Sequence, residues 1–234
     1  MEHLVSKWSD QVGQILRDDS SKLLPQNPTP FAELQYWEER ATDLGCIYDQ
    51  LNNKEIVRMS RKLEKSSPTH WPVFKLLFSN VVAALAEAQD IIVHLKPLKR
   101  HIEAVANSTF EEVGAFLRPL MHCVCLVWGH SEHYCHPKRI IVILREICNL
   151  LIEMARAFLG GSSLFQGEPE EGYSKCEAVV GVLRGFRRMY EGFKNRLNIF
   201  FPRGREIKHW DFLSGLVFDR FELFMTRIET LGVS

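Results

Sequence analysis

The sequence predicts an all-α fold, an elongated stack of helical hairpins. Three observations carry the prediction. Apolar residues recur at steps of three and four along almost the whole chain, the spacing that lines one face of a helix. No stretch alternates apolar and polar residues between hairpin turns, so no strand is expected. Proline, glycine and asparagine gather between the periodic runs, where they stop helices. The expected organisation is an N-terminal helix and linker over 1–25, followed by helical bundles over 26–234.

The first helix is predicted over Glu2–Arg17, with Leu4, Trp8, Val12, Ile15 and Leu16 on one side. Pro25, Pro28 and Pro30 then mark a linker. Thr29 is placed to cap the second helix, with Pro30 at its first position. Leu34, Trp37, Ala41, Leu44, Ile47 and Leu51 follow at steps of 3, 4, 3, 3 and 4. Asn52–Asn53 interrupts, and a shorter helix resumes through Ile56, Met59 and Leu63. A long run extends from Pro72 to about Ala106. Pro97 inside it removes a backbone donor and crowds the preceding turn, so a kink or break is expected at Leu95–Lys96.

Thr109 and Glu112 have the spacing of a capping box, opening a helix that reaches Trp128 with a disturbance at Pro119. Another begins near Pro137, carries Ile140, Leu144, Ile147, Leu151, Met154 and Phe158, and stops at Gly160–Gly161. Pro169, Glu170 and Glu171 suit the start of the next, expected to reach about Phe200. The last helix is expected from Trp210–Asp211, with Val217, Phe221, Phe224, Ile228 and Leu231 as its stripe.

Composition narrows the functional classes. The 234 residues include 29 Lys+Arg and 29 Asp+Glu, a formal net charge of zero. No global field therefore draws the chain to nucleic acid or an anionic membrane. The start has no basic flank followed by an apolar run. Uninterrupted apolar stretches such as Ile140–Leu144 are far shorter than the roughly 20 residues of a membrane helix. A cytoplasmic address is the expectation. The six cysteines fall largely inside helical patterns and are expected as reduced thiols.

One stretch invites a chemical reading. His122–Arg139 packs three cysteines and four histidines into "HCVCLVWGHSEHYCHPKR", the residue types that hold zinc. Cys123 and Cys125 are separated by roughly 200° of helical rotation, so their side chains diverge. His130, His133, Cys135 and His136 lie in or near a turn and are the only candidate metal ligands. Their spacing matches no usual zinc pattern, and a helix end followed by a polar loop explains the same residues. No phosphate-binding glycine loop and no nucleophile elbow is present. Cys148 lies in a core stripe. The pairs Glu38–Glu39, Glu111–Glu112 and Glu170–Glu171 read as solvated charges, because helical neighbours do not face one another. No catalytic residue and no cofactor is expected.

A basic run, Arg184, Arg187, Arg188, Lys194, Arg196, Arg203, Arg205 and Lys208, is interleaved with Phe186, Tyr190 and Phe193. It reads as a nucleic-acid or acidic-protein surface, or as a solvated helix face with its aromatics in the core. The second reading is preferred because the whole chain is neutral.

Several strings, taken in order, resemble the tail of axonemal dynein heavy chains. Tyr36–Ile56 carries Trp37, Arg40, Leu44 and Ile47 ahead of Gln50–Leu51–Asn52. Val81–Glu103 is similar to the tail's next long helix. Phe116–Arg156 carries the most specific resemblance, with Trp128, Tyr134, Pro137 and Arg139. Leu216–Leu231 is similar to a Phe/Arg-rich helix, with Phe218, Arg220 and Phe221. The resemblance extends over nearly the whole chain and points to outer-arm, beta-type heavy chains of motile cilia. Cys135 and His136 depart from the family's polar residues, which argues against a shared metal site.

The resemblance implies a structural and interaction module in the cytoskeleton of the ciliary axoneme. It implies dynein heavy, intermediate and light chains as partners, and the axonemal doublet indirectly. It implies no motor activity here, since the ATPase ring, linker and stalk of the family lie C-terminal to this region, and the tail itself continues past it. No nucleic acid or membrane partner is expected, whereas self-association through exposed apolar residues is. The alternatives are a free-standing helical adaptor competing for dynein partners, and a zinc- or thiol-dependent enzyme.

Overall fold

The computed structural model describes residues 2–17, 28–66, 71–160 and 169–233, and the described residues contain α-helices and no strand. The helices are α1 (Glu2–Arg17), α2 (Pro30–Leu51), α3 (Lys54–Ser66), α4 (Trp71–Ala106), α5 (Val113–His130), α6 (Pro137–Leu159), α7 (Pro169–Lys194) and α8 (Gly215–Val233). A 3₁₀ turn, Leu197–Phe200, follows α7. The chain divides into two compact units, Met1–Val93 and His94–Ser234.

In the first unit, Val12, Ile47, Leu51, Phe74 and Val81 form a core, with Leu16, Trp71, Leu77 and Phe78 packed against it. The side chains of Leu4, Trp8 and Leu63 lie outside the described residues, as does the Pro25 part of the linker. The Thr29 hydroxyl accepts from the Ala32 amide at 3.3 Å, and Pro30 opens α2. Asn52 and Asn53 stop the helix by a local mechanism. The Asn52 side-chain amide donates to the Tyr48 carbonyl at 2.8 Å, and the Asn53 side chain accepts from the Glu55 amide at 3.0 Å.

Helix α4 does not break at Leu95–Lys96: it is continuous through Pro97. Pro97 lies on the exposed side, and Val93, whose carbonyl loses its partner, is 65% exposed. The orphaned acceptor therefore sits on the side open to water, which limits its cost. Pro119 in α5 follows the same logic, with Ala115 exposed one turn before it. Helix α4 also corrects the expectation drawn from short apolar runs. By length and composition it is long and apolar enough to cross a membrane. Isolated polar residues interrupt its runs without making the helix polar.

Three further boundaries differ from expectation, and burial explains each. Thr109 donates its hydroxyl proton to the Glu112 carboxylate at 3.1 Å, yet Glu112 is the N-cap and α5 starts at Val113. Phe110, stacked on Phe158 at 5.0 Å, draws residues 109–112 into a turn instead. Helix α7 stops at Lys194, not near Phe200. A 3₁₀ turn superimposes residues three apart, and this brings Leu197 and Phe200 together into the core. Helix α8 starts at Gly215, not at Trp210–Asp211. Trp210 is instead fully buried, stacked on Tyr190 at 5.4 Å and edge-on to Trp128 at 6.5 Å.

The second unit packs α5 through α8 around one core. Leu117, Leu144, Ile147, Leu183, Phe186, Tyr190, Phe218 and Phe221 are essentially inaccessible within it. Helix α6 ends on Gly160, whose φ of 69° is the left-handed cap that glycine adopts without a Cβ penalty. Its amide donates to the carbonyls of Arg156 and Ala157.

Candidate functional site

The His122–Arg139 segment forms a joint between α5 and α6. Ser131, fully buried, caps α5: its amide donates to the Val127 carbonyl at 3.1 Å, and its hydroxyl accepts from the Tyr134 amide at 2.9 Å. That bond tucks the Tyr134 ring into the core, where Arg139 lies 5.0 Å over it and donates to the His133 carbonyl at 3.3 Å. Pro137 then opens α6.

The far side of the joint comes from residues 200–210. Arg205 donates to the His130 carbonyl at 2.7 Å and to the Ser131 carbonyl at 2.8 Å. A guanidinium thus satisfies the carbonyl end of α5, where cations are favoured. The Trp128 indole donates to the Lys208 carbonyl at 2.8 Å. Gly129 lies so close to the chain that a Cβ there would sit 2.2 Å from the Phe200 carbonyl oxygen. The sequence places Arg205 and Lys208 only in a basic run, and nothing in it pairs them or Gly129 with the far side of this joint. A glycine one residue before the end of an apolar helix was the available signal.

The candidate zinc ligands do not converge. Cys135 is buried while His130, His133 and His136 are exposed, and no three His, Cys, Asp or Glu side chains among the described residues are placed to hold a metal ion. Cys123 and Cys125 diverge around the helix as their spacing requires, and both are still buried, because α5 is covered on most sides. Burial pushes the Cys123 thiol up to about 11, and burial followed by Cys123 pushes Cys125 up to about 12. Burial also raises Cys148, against the opposing pull of Arg187. Such thiols stay protonated at neutral pH and are poor nucleophiles.

The basic run is divided by the fold. Arg184 pairs with Glu229 at 2.9 Å, across from α7 to α8. Arg187 hydrogen-bonds Glu191 and reaches Glu222 of α8 at 3.1 Å, while its guanidinium lies 4.4 Å over the Phe218 ring and 5.4 Å over Tyr190. Burial works to lower the Arg187 pKa, and the bonds to Glu191 and Glu222 outweigh it. Burial, then Glu191, pushes the Tyr190 phenol up to about 12. Phe186 and Tyr190 are core residues, whereas Phe193 is half-buried against Phe200. Arg196, Arg203 and Lys208 remain exposed.

The remaining motif residues are dispersed. Trp37 and Leu44 are buried in the first unit, the Trp37 indole donating to Glu33 at 3.4 Å, and Arg40 is half-buried beside them. Phe218 and Phe221 are buried and Arg220 is exposed on α8. What the geometry brings together is thus a packed joint, with cations and apolar side chains left on its outer surface.

Comparison with known proteins decides the family. The family described as dynein heavy chain, N-terminal region 1, matches residues 1–232. The chain belongs to that family. As a dynein heavy-chain N-terminal region it is 43% identical to dynein axonemal heavy chain 9 of Homo sapiens over 99% of its length. It is 39% identical to the ciliary dynein beta chain of Heliocidaris crassispina, again over 99%. It is 30% identical over 97% to the flagellar outer-arm dynein beta chain of Chlamydomonas reinhardtii. The chain spans 5% of the length of each of these relatives. Within this dynein region, the cysteines of the His122–Arg139 stretch are buried, and the carbonyls of His130 and His133 accept from Arg205 and Arg139.

Proposed function

We propose that this chain is a structural module of an axonemal dynein tail, located in the cytoskeleton of motile cilia. It acts as a helical scaffold on which other dynein chains assemble, and through them it bears on attachment to the doublet. The observation that supports this most directly is the family match over residues 1–232, joined to relatives named for axonemal, ciliary and flagellar dyneins. The side chains fit a holding role. The Arg205 guanidinium of the joint is spent on the end of α5, an ion pair ties α7 to α8, and three buried thiols are held neutral by burial. Trp37, Arg40, Leu44, Trp128, Tyr134, Pro137, Arg139, Phe218, Arg220 and Phe221 act as framework residues in this reading. The ATPase motor lies elsewhere in such heavy chains, so the module itself does not hydrolyse ATP.

Affinity capture from extracts of ciliated cells tests the proposal. Recovery of dynein heavy, intermediate or light chains is the expected result. Their absence, with the chain folded by circular dichroism, would overturn it. A free-standing adaptor that competes for the same partners would recover those chains while lowering their incorporation into axonemes when the module is added in excess.

A further inference from the structure

We propose that the outer surface where the 3₁₀ turn lies against α5 is a docking site for an acidic, amphipathic helix of a partner protein. The inference rests on the scaffold reading above and adds a place and a chemistry to it. His122 is edge-on to Phe200 at 5.0 Å, and Gly129 abuts the Phe200 carbonyl. The turn therefore runs along one helical face, on which His122, Leu126 and Gly129 follow at steps of four and three. Leu126 on that face is 37% exposed, and Ile199, next to Phe200, is 68% exposed. Leu126 and Ile199 thus leave a partly open apolar strip along a turn held by the Gly129 contact and by Leu197 and Phe200 in the core.

Charge says what covers the strip. Arg196 and Arg203 flank the turn on either side in the chain, and Arg118 lies one helical turn from His122; all three are exposed. Arg205 and Arg187 are spent on α5 carbonyls and on Glu191 and Glu222, and Arg184 on Glu229, whereas these three arginines have no ion-pair partner among the described residues. The chain as a whole has a formal net charge of zero, so a local surplus of cations marks this surface out. An apolar centre with a cationic rim complements a helix bearing leucine-type residues on one face and carboxylates beside them. Nucleic acid fits less well, because exposed isoleucine and leucine at the centre offer a phosphate backbone nothing.

The test uses the full chain at low micromolar concentration and a fluorescent sixteen-residue peptide, with Leu at helical a and d positions and Glu elsewhere. A second peptide carries Lys in place of Glu, and a third scrambles the register. Binding of the first peptide alone is expected, weakening as salt rises from about 50 to about 200 mM. R196E/R203E should weaken it by about tenfold or more, and Ile199→Ser by several-fold. The control R58E/R61E reverses two exposed arginines of the first unit and should leave binding unchanged. Equal binding of the scrambled peptide, insensitivity to R196E/R203E, or equal loss in the R58E/R61E control would overturn the proposal. So would a DNA oligonucleotide or a second copy of the chain competing for the surface in place of the peptide. Failure here with dynein chains still captured from extract would remove this surface and leave the scaffold reading standing. Loss of capture would remove the scaffold reading itself.

Discussion

At Gly129 a single methyl group meets backbone. A Cβ would meet the Phe200 carbonyl oxygen at 2.2 Å, and backbone cannot swing away as a flexible side chain can. Gly129→Ala should therefore destabilise the second unit by about 1–3 kcal/mol, even though alanine favours helix. Urea unfolding followed through Trp128 and Trp210 measures it, and an unchanged midpoint would mean the chain does not pass so close. The buried thiols make a second prediction at this scale. Burial raises Cys123 and Cys125 from 9.0 to about 11 and about 12. Above pH 9 the unfolded chain releases these protons while the folded chain keeps them. Stability is therefore full below pH 9, falls between there and the folded values by on the order of 1 kcal/mol per pH unit per thiol, and levels off above them. Urea midpoints between pH 8 and pH 11 under reducing conditions check it, with Cys125→Ala expected to flatten the decline. The residue scale was the least legible in the sequence. That Arg205 and Lys208 reach the end of α5 depends on contacts more than 70 residues apart in the chain, and no local pattern encodes such a pairing.

At the scale of elements, periodicity was a sound guide because it reports burial. The stripe Ile140, Leu144, Ile147 and Leu151 became the inner face of α6, each residue essentially inaccessible. Leu144→Ala and Phe221→Ala each remove a side chain with no exposed surface, and each should cost about 2–5 kcal/mol. Chemical denaturation of the two variants measures this, and parental midpoints would show that neither seam is core. Periodicity failed where a residue had a better place outside a helix. Trp210 continues a helical pattern in the sequence, but its indole fits between Tyr190 and Trp128, and that burial holds residues 201–214 out of α8. Of the kink or break expected at Pro97, the break does not occur. At Pro97 and Pro119 the lost hydrogen bond faces water, so neither interrupts its helix.

For the whole molecule, exposed apolar surface sets the behaviour in solution. On α8 and the residues before it, Leu213 is 77% exposed, Leu216 45% and Leu223 53%. Of the apolar residues outside the main stripe here, Phe212 is half-buried against Trp210 and Phe218 is fully buried, so these two do not add to the open surface. In the first unit, Val73, Leu76 and Val93 of α4 are 59%, 63% and 65% exposed. Exposed apolar side chains that gather into patches drive association in water, and a net charge of zero offers no repulsion to oppose it. The chain should therefore self-associate as its concentration rises, with weight-average mass in sedimentation equilibrium climbing above 27.1 kDa. Leu213→Glu with Leu216→Glu should lower that association without changing the helical signal, because both side chains already face solvent. A monomer at every concentration would show that exposed residues on these helices are too scattered to act as patches. Unchanged association in the double variant would instead place the contact on α4, which Leu76→Glu then tests on the same instrument.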